Sequence, residues 1–227
     1  MQDSYRHKGL RKQLINLLKE KGISDAKVLE AMGQVPRHLF VDKTFENQAY
    51  KDIALRIAAN QTISQPYTVA YQTEFLSVDS TMNVLEIGTG SGYQAAVLSK
   101  LVNKVFTLER FEQLYKKAKK QLSFLGFDNV ECFYKDGFEG LPEFAPFDRI
   151  IVTAAAPEVP DNLVAQLKIG GKMVIPVNIT ETEQQMLLVQ KNKDKTIVVE
   201  GPKFRFVPML KGTAISSNKI NKFNTGF

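Results

Sequence analysis

Residues 84–98 read VLEIGTGSGYQAAVL, which is a short apolar run, three glycines at alternate positions and an alanine-rich apolar run. The first run predicts a buried strand and the last predicts a helix, with the glycines in the turn between them. Such a turn, followed by the unpaired N–H groups of a helix N-terminus, lets a ligand lie close to the main chain. The stretch therefore predicts a nucleotide-type cofactor site at the carboxyl end of a parallel strand.

The spacing of the glycines narrows the choice of cofactor. The dinucleotide fingerprint Gly-x-Gly-x-x-Gly would place its third glycine at position 93, where this chain has Tyr93. The glycines here are Gly88, Gly90 and Gly92, and Glu86 precedes them. This Glu-x-Gly-x-Gly-x-Gly form resembles the cofactor loop of S-adenosylmethionine-dependent methyltransferases. The alternative is a glycine-rich turn without a ligand.

A second apolar run, residues 104–109, ends in an acid about 20 residues after the glycines. A carboxylate at that strand end can accept hydrogen bonds from both hydroxyl groups of a ribose. Glu109 could instead be a surface acid paired with Arg110. Because the glycine loop lies at the right distance, we favour the ribose role.

Composition and charge bound the class of protein. A chain of 227 residues with 44% hydrophobic and 24% charged residues fits one α/β domain with additions. The net charge of +6 comes from scattered lysines without a stripe of stacking aromatics, so we expect no nucleic-acid partner. No apolar run reaches about 18 residues and the N-terminus has no apolar signal segment. We therefore expect no membrane span and a cytoplasmic location. We also expect a monomer, although no sequence motif points to an oligomeric state.

Disulfide and metal chemistry find little support in the sequence. The single cysteine, Cys132, cannot form an internal disulfide and is interpreted as a buried structural thiol. His38 has no companion histidine, cysteine or acid at ligand spacing, and His7 is no better placed. We therefore predict no metal site.

The order of predicted elements is typical of an α/β protein. Strands are predicted at 83–87, 104–109, 129–134, 148–153 and 172–177, with further strand-like segments at 185–190, 196–200 and 204–207. Helices are predicted at 10–18, 25–32, 67–76, 91–101, 111–125 and 160–167, the second with Ser24 as its N-cap. Alternation of helices with the first strands predicts parallel units, and its loss after 177 predicts an antiparallel end.

Three polar or small-residue segments accompany this core. The segment 60–66 precedes it, and composition alone assigns Ser64 to capping a helix terminus. Asp136 and Gly137 follow the third core strand, where the acid could receive an adenine amino group or form an Asx turn. The small residues at 153–157 allow either a ligand or a packed helix to approach the strand end.

Six motifs occur in the order typical of the protein-L-isoaspartate (D-aspartate) O-methyltransferase family, the protein repair methyltransferases. They are VPRHLF at 35–40, QTISQP at 61–66, GTGSGY at 88–93, DG at 136–137, TAAAP at 153–157 and RFVPM at 205–209. The chain resembles this family from about residue 6 to residue 211. Many methyltransferases share the glycine loop, whereas the TISQP and FVP segments are much more specific.

The resemblance implies a Rossmann-like S-adenosylmethionine-dependent methyltransferase fold of the α/β class. Its sheet would have seven strands, mostly parallel with the last strand reversed, and a helical extension would precede it. The chain then divides into the extension with the active-site loop at 1–66, the α/β core at 67–212 and a flexible C-terminal tail at 213–227.

The resemblance also implies the reaction. A methyl group would pass from S-adenosylmethionine to the free α-carboxylate of L-isoaspartyl and D-aspartyl residues in damaged proteins and peptides, leaving S-adenosylhomocysteine and starting repair through a succinimide. Ser64 then matches the family's active-site serine rather than a cap. With Ser64, the expected substrate-binding residues are Phe206, Val207 and Pro208. The expected cofactor-binding residues are Thr62, Ile63, Ser64, Gly88, Thr89, Gly90, Gly92, Glu109, Arg110, Asp136, Gly137 and Thr153.

The sequence departs from the family pattern in three places. Asn60 stands where the family usually has Gly, Met209 replaces a usual Leu, and the tail after Gly212 matches nothing. Two rival functions are a methyltransferase for another acceptor, such as a small molecule or RNA, and a cofactor-binding module without catalysis. The segments 60–66 and 204–209 argue against the first rival.

Overall fold

The computed structural model describes residues 3–215. A short hairpin, β1 (Leu55–Arg56) and β2 (Thr62–Ile63), precedes the central sheet. The strands of that sheet are β3 (Asn83–Ile87), β4 (Lys104–Glu109), β5 (Val130–Tyr134), β6 (Phe147–Val152), β7 (Leu167–Asn178), β8 (Gln184–Lys191) and β9 (Thr196–Phe204). They lie side by side in the order β5-β4-β3-β6-β7-β8-β9.

The directions of the strands confirm the predicted α/β class with an antiparallel end. The strands from β3 to β7 pair in parallel, and β8 pairs antiparallel with both β7 and β9. Each antiparallel pairing reverses the chain once, so β9 regains the direction of the parallel strands. The expectation of a reversed last strand is therefore corrected, because the reversed strand is β8.

In the part of the chain that the structure describes, six α-helices lie close to their predicted positions. They are α1 (Tyr5–Glu20), α2 (Ala26–Gln34), α3 (Pro66–Leu76), α4 (Tyr93–Ser99), α5 (Glu112–Phe124) and α6 (Asp161–Ala165). Helix α1 begins before the predicted residue 10 because Ser4 caps it, its side chain accepting a hydrogen bond from the His7 N–H (3.3 Å). Helix α4 begins after the predicted residue 91 because Gly92 still has a positive φ of 86°.

The predicted cap of α2 is wrong by one residue. Asp25, not Ser24, accepts hydrogen bonds from the N–H groups of Lys27 (2.8 Å) and Val28 (3.2 Å). The Ser24 hydroxyl donates instead to the Glu74 carboxylate (2.7 Å) in α3. Ser24 therefore does not cap α2, and its side chain instead links the start of α2 to α3, which is distant in sequence.

Two apolar clusters hold the molecule together. One contains Leu18 and Val28 of the N-terminal helices together with Val84 of β3. The other contains Leu85 of β3 and Ile150 of β6, because side chains alternate between the two faces of a strand. The N-terminal helices therefore share a core with the sheet.

The C-terminal end of the described chain runs back to the residues that follow β4. The Ala214 N–H donates to the Arg110 carbonyl (2.7 Å), and the Glu112 N–H donates to the Ala214 carbonyl (3.1 Å). The predicted tail at 213–227 lies mostly outside the described residues. Within residues 3–215, no helix is both long enough and apolar enough to cross a bilayer.

Candidate active site

The glycine loop, residues 88–92, turns the chain from β3 into α4. Gly88, Gly90 and Gly92 have φ values of 100°, 53° and 86°, a region that side chains rarely adopt. At Gly88, a Cβ would also collide with the Thr153 hydroxyl. At Gly92, a Cβ would come within 3.2 Å of the Leu122 side chain in α5. The loop therefore needs glycine for its turn and for close packing on two sides.

Glu109, at the carboxyl end of β4, holds the glycine loop by its side chain. Its carboxylate accepts hydrogen bonds from the N–H groups of Gly90 (2.8 Å) and Phe111 (2.9 Å). Burial raises the pKa of the Glu109 carboxyl, and these N–H groups oppose the rise. An ionised carboxylate has about four acceptor positions, so positions remain for a ligand's hydroxyl groups.

A cleft lies beside the glycine loop, at the carboxyl ends of the parallel strands. Most of the residues expected from the sequence to bind cofactor or substrate line it. These are Thr62, Ile63, Ser64, Gly88, Thr89, Gly90, Glu109, Arg110, Gly137, Thr153, Val207 and Pro208.

Three expected site residues do not line the cleft. Gly92 packs against α5, as described above. Asp136 accepts hydrogen bonds from the N–H groups of Phe138 (2.9 Å) and Gly212 (2.5 Å), so the Asx turn is present. The Phe206 N–H donates to the Gln184 side-chain oxygen (2.8 Å).

The strand-like segment predicted at 204–207 is not a separate strand, because β9 runs from Thr196 to Phe204 and ends there. The Phe206 N–H is taken by a side chain of β8 rather than by a neighbouring strand's carbonyl. Phe206 faces a second depression, the polar groove, which adjoins the cleft.

The polar groove meets the cleft at four residues that line both. They are Thr62, Ser64, Thr153 and Val207. Its remaining walls include Lys203, Arg205 and Glu183, with Lys203 and Glu183 forming an ion pair (3.2 Å). The two depressions can therefore hold two ligands whose reacting ends meet at the shared residues.

Ser64 is fixed by residues of the N-terminal extension. Its carbonyl accepts a hydrogen bond from Arg37 Nη2 (2.8 Å). On the other side, the Asp52 carboxylate accepts from the Gln65 side-chain amide (3.0 Å) and from the Tyr67 N–H (2.8 Å). The capping role considered for Ser64 thus belongs to Asp52, which serves the first turn of α3.

Sequence reasoning missed both Arg37 and Asp52. Arg37 lies in the VPRHLF motif, which gave a signal for the family but none for a contact with Ser64. Asp52 lies in a polar loop without a motif. Both contacts join residues that only the tertiary fold brings together.

Residues 205–214, the C-terminal strap, contribute Val207, Pro208, Met209 and Leu210 to the wall of the cleft. The Val207 carbonyl accepts from the Ala155 N–H (2.8 Å), and the Met209 N–H donates to the Ala155 carbonyl (2.7 Å). Further along, Arg110 Nε donates to the Gly212 carbonyl (2.9 Å). Arg110 therefore reaches the cleft as part of the strap's attachment.

A buried chain of hydroxyl groups leads from the cleft to Glu86, the acid that precedes the glycines. Thr89 and Thr107 share a hydrogen bond (2.7 Å), and the Thr107 hydroxyl donates to Glu86 Oε2 (2.5 Å). Glu86 is 0% exposed, and burial raises the pKa of its carboxyl to about 8, with the charge of Glu109 adding to the rise. Glu86 does not line the cleft, but Thr107 links it by hydrogen bonds to Thr89 of the glycine loop.

The two histidines contradict the expectation that His38 has no companion. His7 and His38 stack with ring centroids 3.7 Å apart, and Asp3 lies close enough for ligand atoms of all three to fall within 4.8 Å. The rings are nearly parallel, at 19°, and the Asp3 carboxylate accepts both of its bonds from Arg11 (2.9 and 3.1 Å). His7 Nε2 also lies 3.1 Å from the Glu46 carboxylate, and His38 Nδ1 lies 2.8 Å from the Tyr50 hydroxyl.

Comparisons with known proteins agree with this geometry. The family model described as "Protein-L-isoaspartate(D-aspartate) O-methyltransferase (PCMT)" matches residues 9–214. A protein-L-isoaspartate O-methyltransferase of Christiangramia forsetii is 53% identical over 210 residues, covering 92% of this chain and 98% of the relative. One of Cytophaga hutchinsonii is 48% identical over 222 residues, covering 97% and 100%.

Solved structures give the same result. A chain described as a protein-L-isoaspartate O-methyltransferase superposes with a TM-score of 0.80 at 34% identity. The match covers 87% of this chain and 65% of that chain. A putative one from Plasmodium falciparum, in complex with S-adenosyl-L-homocysteine, gives a TM-score of 0.77 at 27% identity, covering 89% and 99%.

Proposed function

The chain belongs to the protein-L-isoaspartate(D-aspartate) O-methyltransferase family, and from that membership we infer that its two depressions hold the two substrates of one methyl transfer. The enzyme transfers a methyl group from S-adenosylmethionine to the free α-carboxylate of L-isoaspartyl and D-aspartyl residues in damaged proteins and peptides. The resulting ester closes to a succinimide without further catalysis, and the ring opens partly to normal aspartate. The observation that carries this proposal is that Ser64 lines both the cleft and the polar groove.

The cleft suits S-adenosylmethionine. When bound, this donor supplies a methyl group made electrophilic by a sulfonium. The glycine loop lets a ligand approach the main chain, and Glu109 retains acceptor positions for the two ribose hydroxyls. The proposed donor site is completed by six further residues that line the cleft, namely Thr62, Ile63, Thr89, Arg110, Gly137 and Thr153.

Asp136 has a narrower role in this proposal. Its carboxylate already accepts hydrogen bonds from Phe138 and Gly212. Any bond to the adenine amino group therefore adds to a carboxylate that holds the strap, with Gly137 providing the wall of the cleft.

The acceptor needs orientation rather than activation. An α-carboxyl group has a pKa of about 3.5, so it is already ionised at neutral pH and needs no strong general base. The Ser64 hydroxyl orients this carboxylate by a hydrogen bond. Aligning oxygen, methyl and sulfur and excluding water contributes roughly 7–11 kcal/mol of the barrier reduction.

The flanking peptide is held through its main chain. Because the Phe206 N–H already donates to Gln184, Val207 is the strap residue whose N–H we assign to the peptide, with Phe206 and Pro208 shaping the wall. Main-chain recognition tolerates many side chains around the damaged residue. We further propose that the protein acts as a monomer in the cytoplasm, which gel filtration with light scattering and cell fractionation test.

The deciding experiment compares an isoaspartyl peptide with its normal aspartyl twin, using S-adenosylmethionine labelled in its methyl group. We expect base-labile label on the isoaspartyl peptide alone. Equal label on both peptides, or label on RNA or a small acceptor instead, would assign another acceptor. Binding of the donor without any transfer would leave only a binding module.

A further inference from the structure

We propose that Arg37 both positions Ser64 and gives the acceptor site its preference for an anion. This inference rests on the proposed function, because it concerns the carboxylate placed at Ser64. Arg37 is a positioning residue rather than a catalytic one, since it lines neither the cleft nor the polar groove.

Arg37 joins three parts of the molecule. Its Nε donates to the Ala49 carbonyl (2.9 Å) and its Nη2 donates to the Ser64 carbonyl (2.8 Å). Its guanidinium carbon lies 4.8 Å from the centroid of the Tyr93 ring, and Tyr93 is the first residue of α4 after the glycine loop. The fork of the guanidinium therefore fixes Ser64 relative to the loop beside which the donor is proposed to bind.

The charge of Arg37 is buried and lacks a direct counter-ion. The side chain is 0% exposed, and within residues 3–215 no carboxylate forms an ion pair with it. Asp52 acts on it only at longer range and is itself paired with Lys21 (2.6 Å). Burial lowers the pKa of Arg37 to about 10, so the guanidinium is still charged at neutral pH.

A buried, unneutralised cation is costly to a fold, so its position calls for a reason. Arg37 donates directly to the carbonyl of Ser64, so its positive charge lies beside the residue proposed to hold the acceptor carboxylate. That charge stabilises an ionised carboxylate and does nothing for a neutral amide. It also stops acting once the carboxylate becomes a neutral ester, which favours release of the product.

The test separates the effect of the positive charge of Arg37 from the effect of its planar guanidinium geometry. Arg37→Lys keeps the charge but not the planar fork, whereas Arg37→Gln keeps a donor but loses the charge. We expect Arg37→Gln to raise the KM for the isoaspartyl peptide about tenfold or more. Arg37→Lys should leave KM within about twofold of wild type and lower kcat, because Ser64 is less well held. Affinity for S-adenosylhomocysteine should stay at the wild-type value in both variants.

Arg149 provides matched controls. It also donates to main-chain carbonyls, from Nε to Leu76 (2.9 Å) and from Nη1 to Asp148 (2.8 Å), but at the start of β6, away from the cleft. Arg149→Lys and Arg149→Gln should change neither KM nor kcat. A wild-type KM in Arg37→Gln, or an equal rise in Arg149→Gln, overturns the proposal. If the wild type itself fails to methylate the isoaspartyl peptide, it is the proposed function that fails.

A measurement on the wild type decides the matter if Arg37→Gln does not fold. Raising the salt concentration from about 0.01 M to about 1 M shortens the screening length from about 30 Å to about 3 Å, which affects exposed charges far more than buried ones. Attraction by Arg37 predicts a change in KM of less than about threefold over this range. A steep rise would assign the attraction to the exposed Lys203 and Arg205 and overturn the proposal.

Discussion

Ser64 illustrates how single residues of the site depend on main-chain contacts. Its carbonyl accepts a hydrogen bond from Arg37, and the residue lines both depressions. The backbone should therefore keep its position when only the hydroxyl is removed, which allows its chemical role to be tested alone.

For Ser64→Ala, we expect a fall in kcat of about tenfold or more, with little change in affinity for S-adenosylhomocysteine, because one hydrogen bond to the acceptor carboxylate is lost. Steady-state kinetics and calorimetric titration measure the two effects. Ser99→Ala, at the far end of α4, is the control. Equal losses in turnover and cofactor affinity would place Ser64 in the donor site instead.

Substitution of Glu109 tests the proposed donor site in the same way. Glu109→Ala should weaken S-adenosylhomocysteine binding by about tenfold or more, since it removes the acceptor for the ribose and the bond that holds Gly90. Titration calorimetry measures the affinity, with the more exposed Glu112→Ala as control. Unchanged affinity would remove Glu109 from the ribose role.

The raised pKa of the buried Glu86 predicts that the free energy of unfolding depends on pH. Its pKa is raised from 4.5 to about 8 by burial, so the folded protein keeps it neutral while the unfolded chain ionises it. Its contribution to stability is full below the unfolded pKa of 4.5 and is lost as pH rises towards 8, at about 1.4 kcal/mol per pH unit. Glu86→Gln stays neutral and should gain stability over wild type between pH 5 and pH 8. Urea unfolding at both pH values checks this, and a constant difference would contradict it.

The elements show which predictions a local pattern can support. The glycine loop and the strands around it were predicted closely, because apolar runs and glycines act within a few residues. The sequence did not predict that Ser24 leaves the cap position, that β8 is the reversed strand or that β9 ends at Phe204. A partner distant in sequence decides each of these outcomes. The contacts that Arg37 and Asp52 make with the Ser64 segment lie beyond local patterns for the same reason.

The hairpin of β1 and β2 explains the departure at Asn60. Ala59 and Asn60, in the loop between the strands, have φ values of 56° and 55°. Asn tolerates this left-handed region better than most residues, so it can replace the family's usual Gly. Ala59 has no such advantage, and the hairpin carries some strain there.

Ala59→Gly should therefore raise the free energy of unfolding by roughly 0.5–1 kcal/mol, because the relief of the left-handed conformation exceeds the added flexibility of the unfolded chain. Ala58→Gly, one residue earlier and without a positive φ, should lower it. Chemical denaturation measures both. A loss of stability in Ala59→Gly would show that the loop is not strained.

At the scale of the whole molecule, the shared core joins the N-terminal helices to the sheet. Leu18 of α1 and Val84 of β3 belong to one apolar cluster. The N-terminal helices, and the segment after them that brings Arg37 and Asp52 to Ser64, are thus part of the same cooperative structure as the glycine loop.

Leu18→Ala, at a fully buried position of α1, should cost about 2–5 kcal/mol and shift a single unfolding transition to lower temperature. Leu85→Ala, on β3, should shift the same transition. Scanning calorimetry distinguishes this from independent unfolding. A separate early transition for Leu18→Ala would show that the extension folds apart from the sheet.

The meeting of cleft and polar groove at Thr62, Ser64, Thr153 and Val207 has a stereochemical consequence. Two ligands that meet at one boundary can pass the methyl group directly between them. A direct in-line transfer from sulfur to oxygen inverts the configuration of the methyl carbon. A methyl made chiral with hydrogen, deuterium and tritium would arrive on the damaged chain with its handedness inverted.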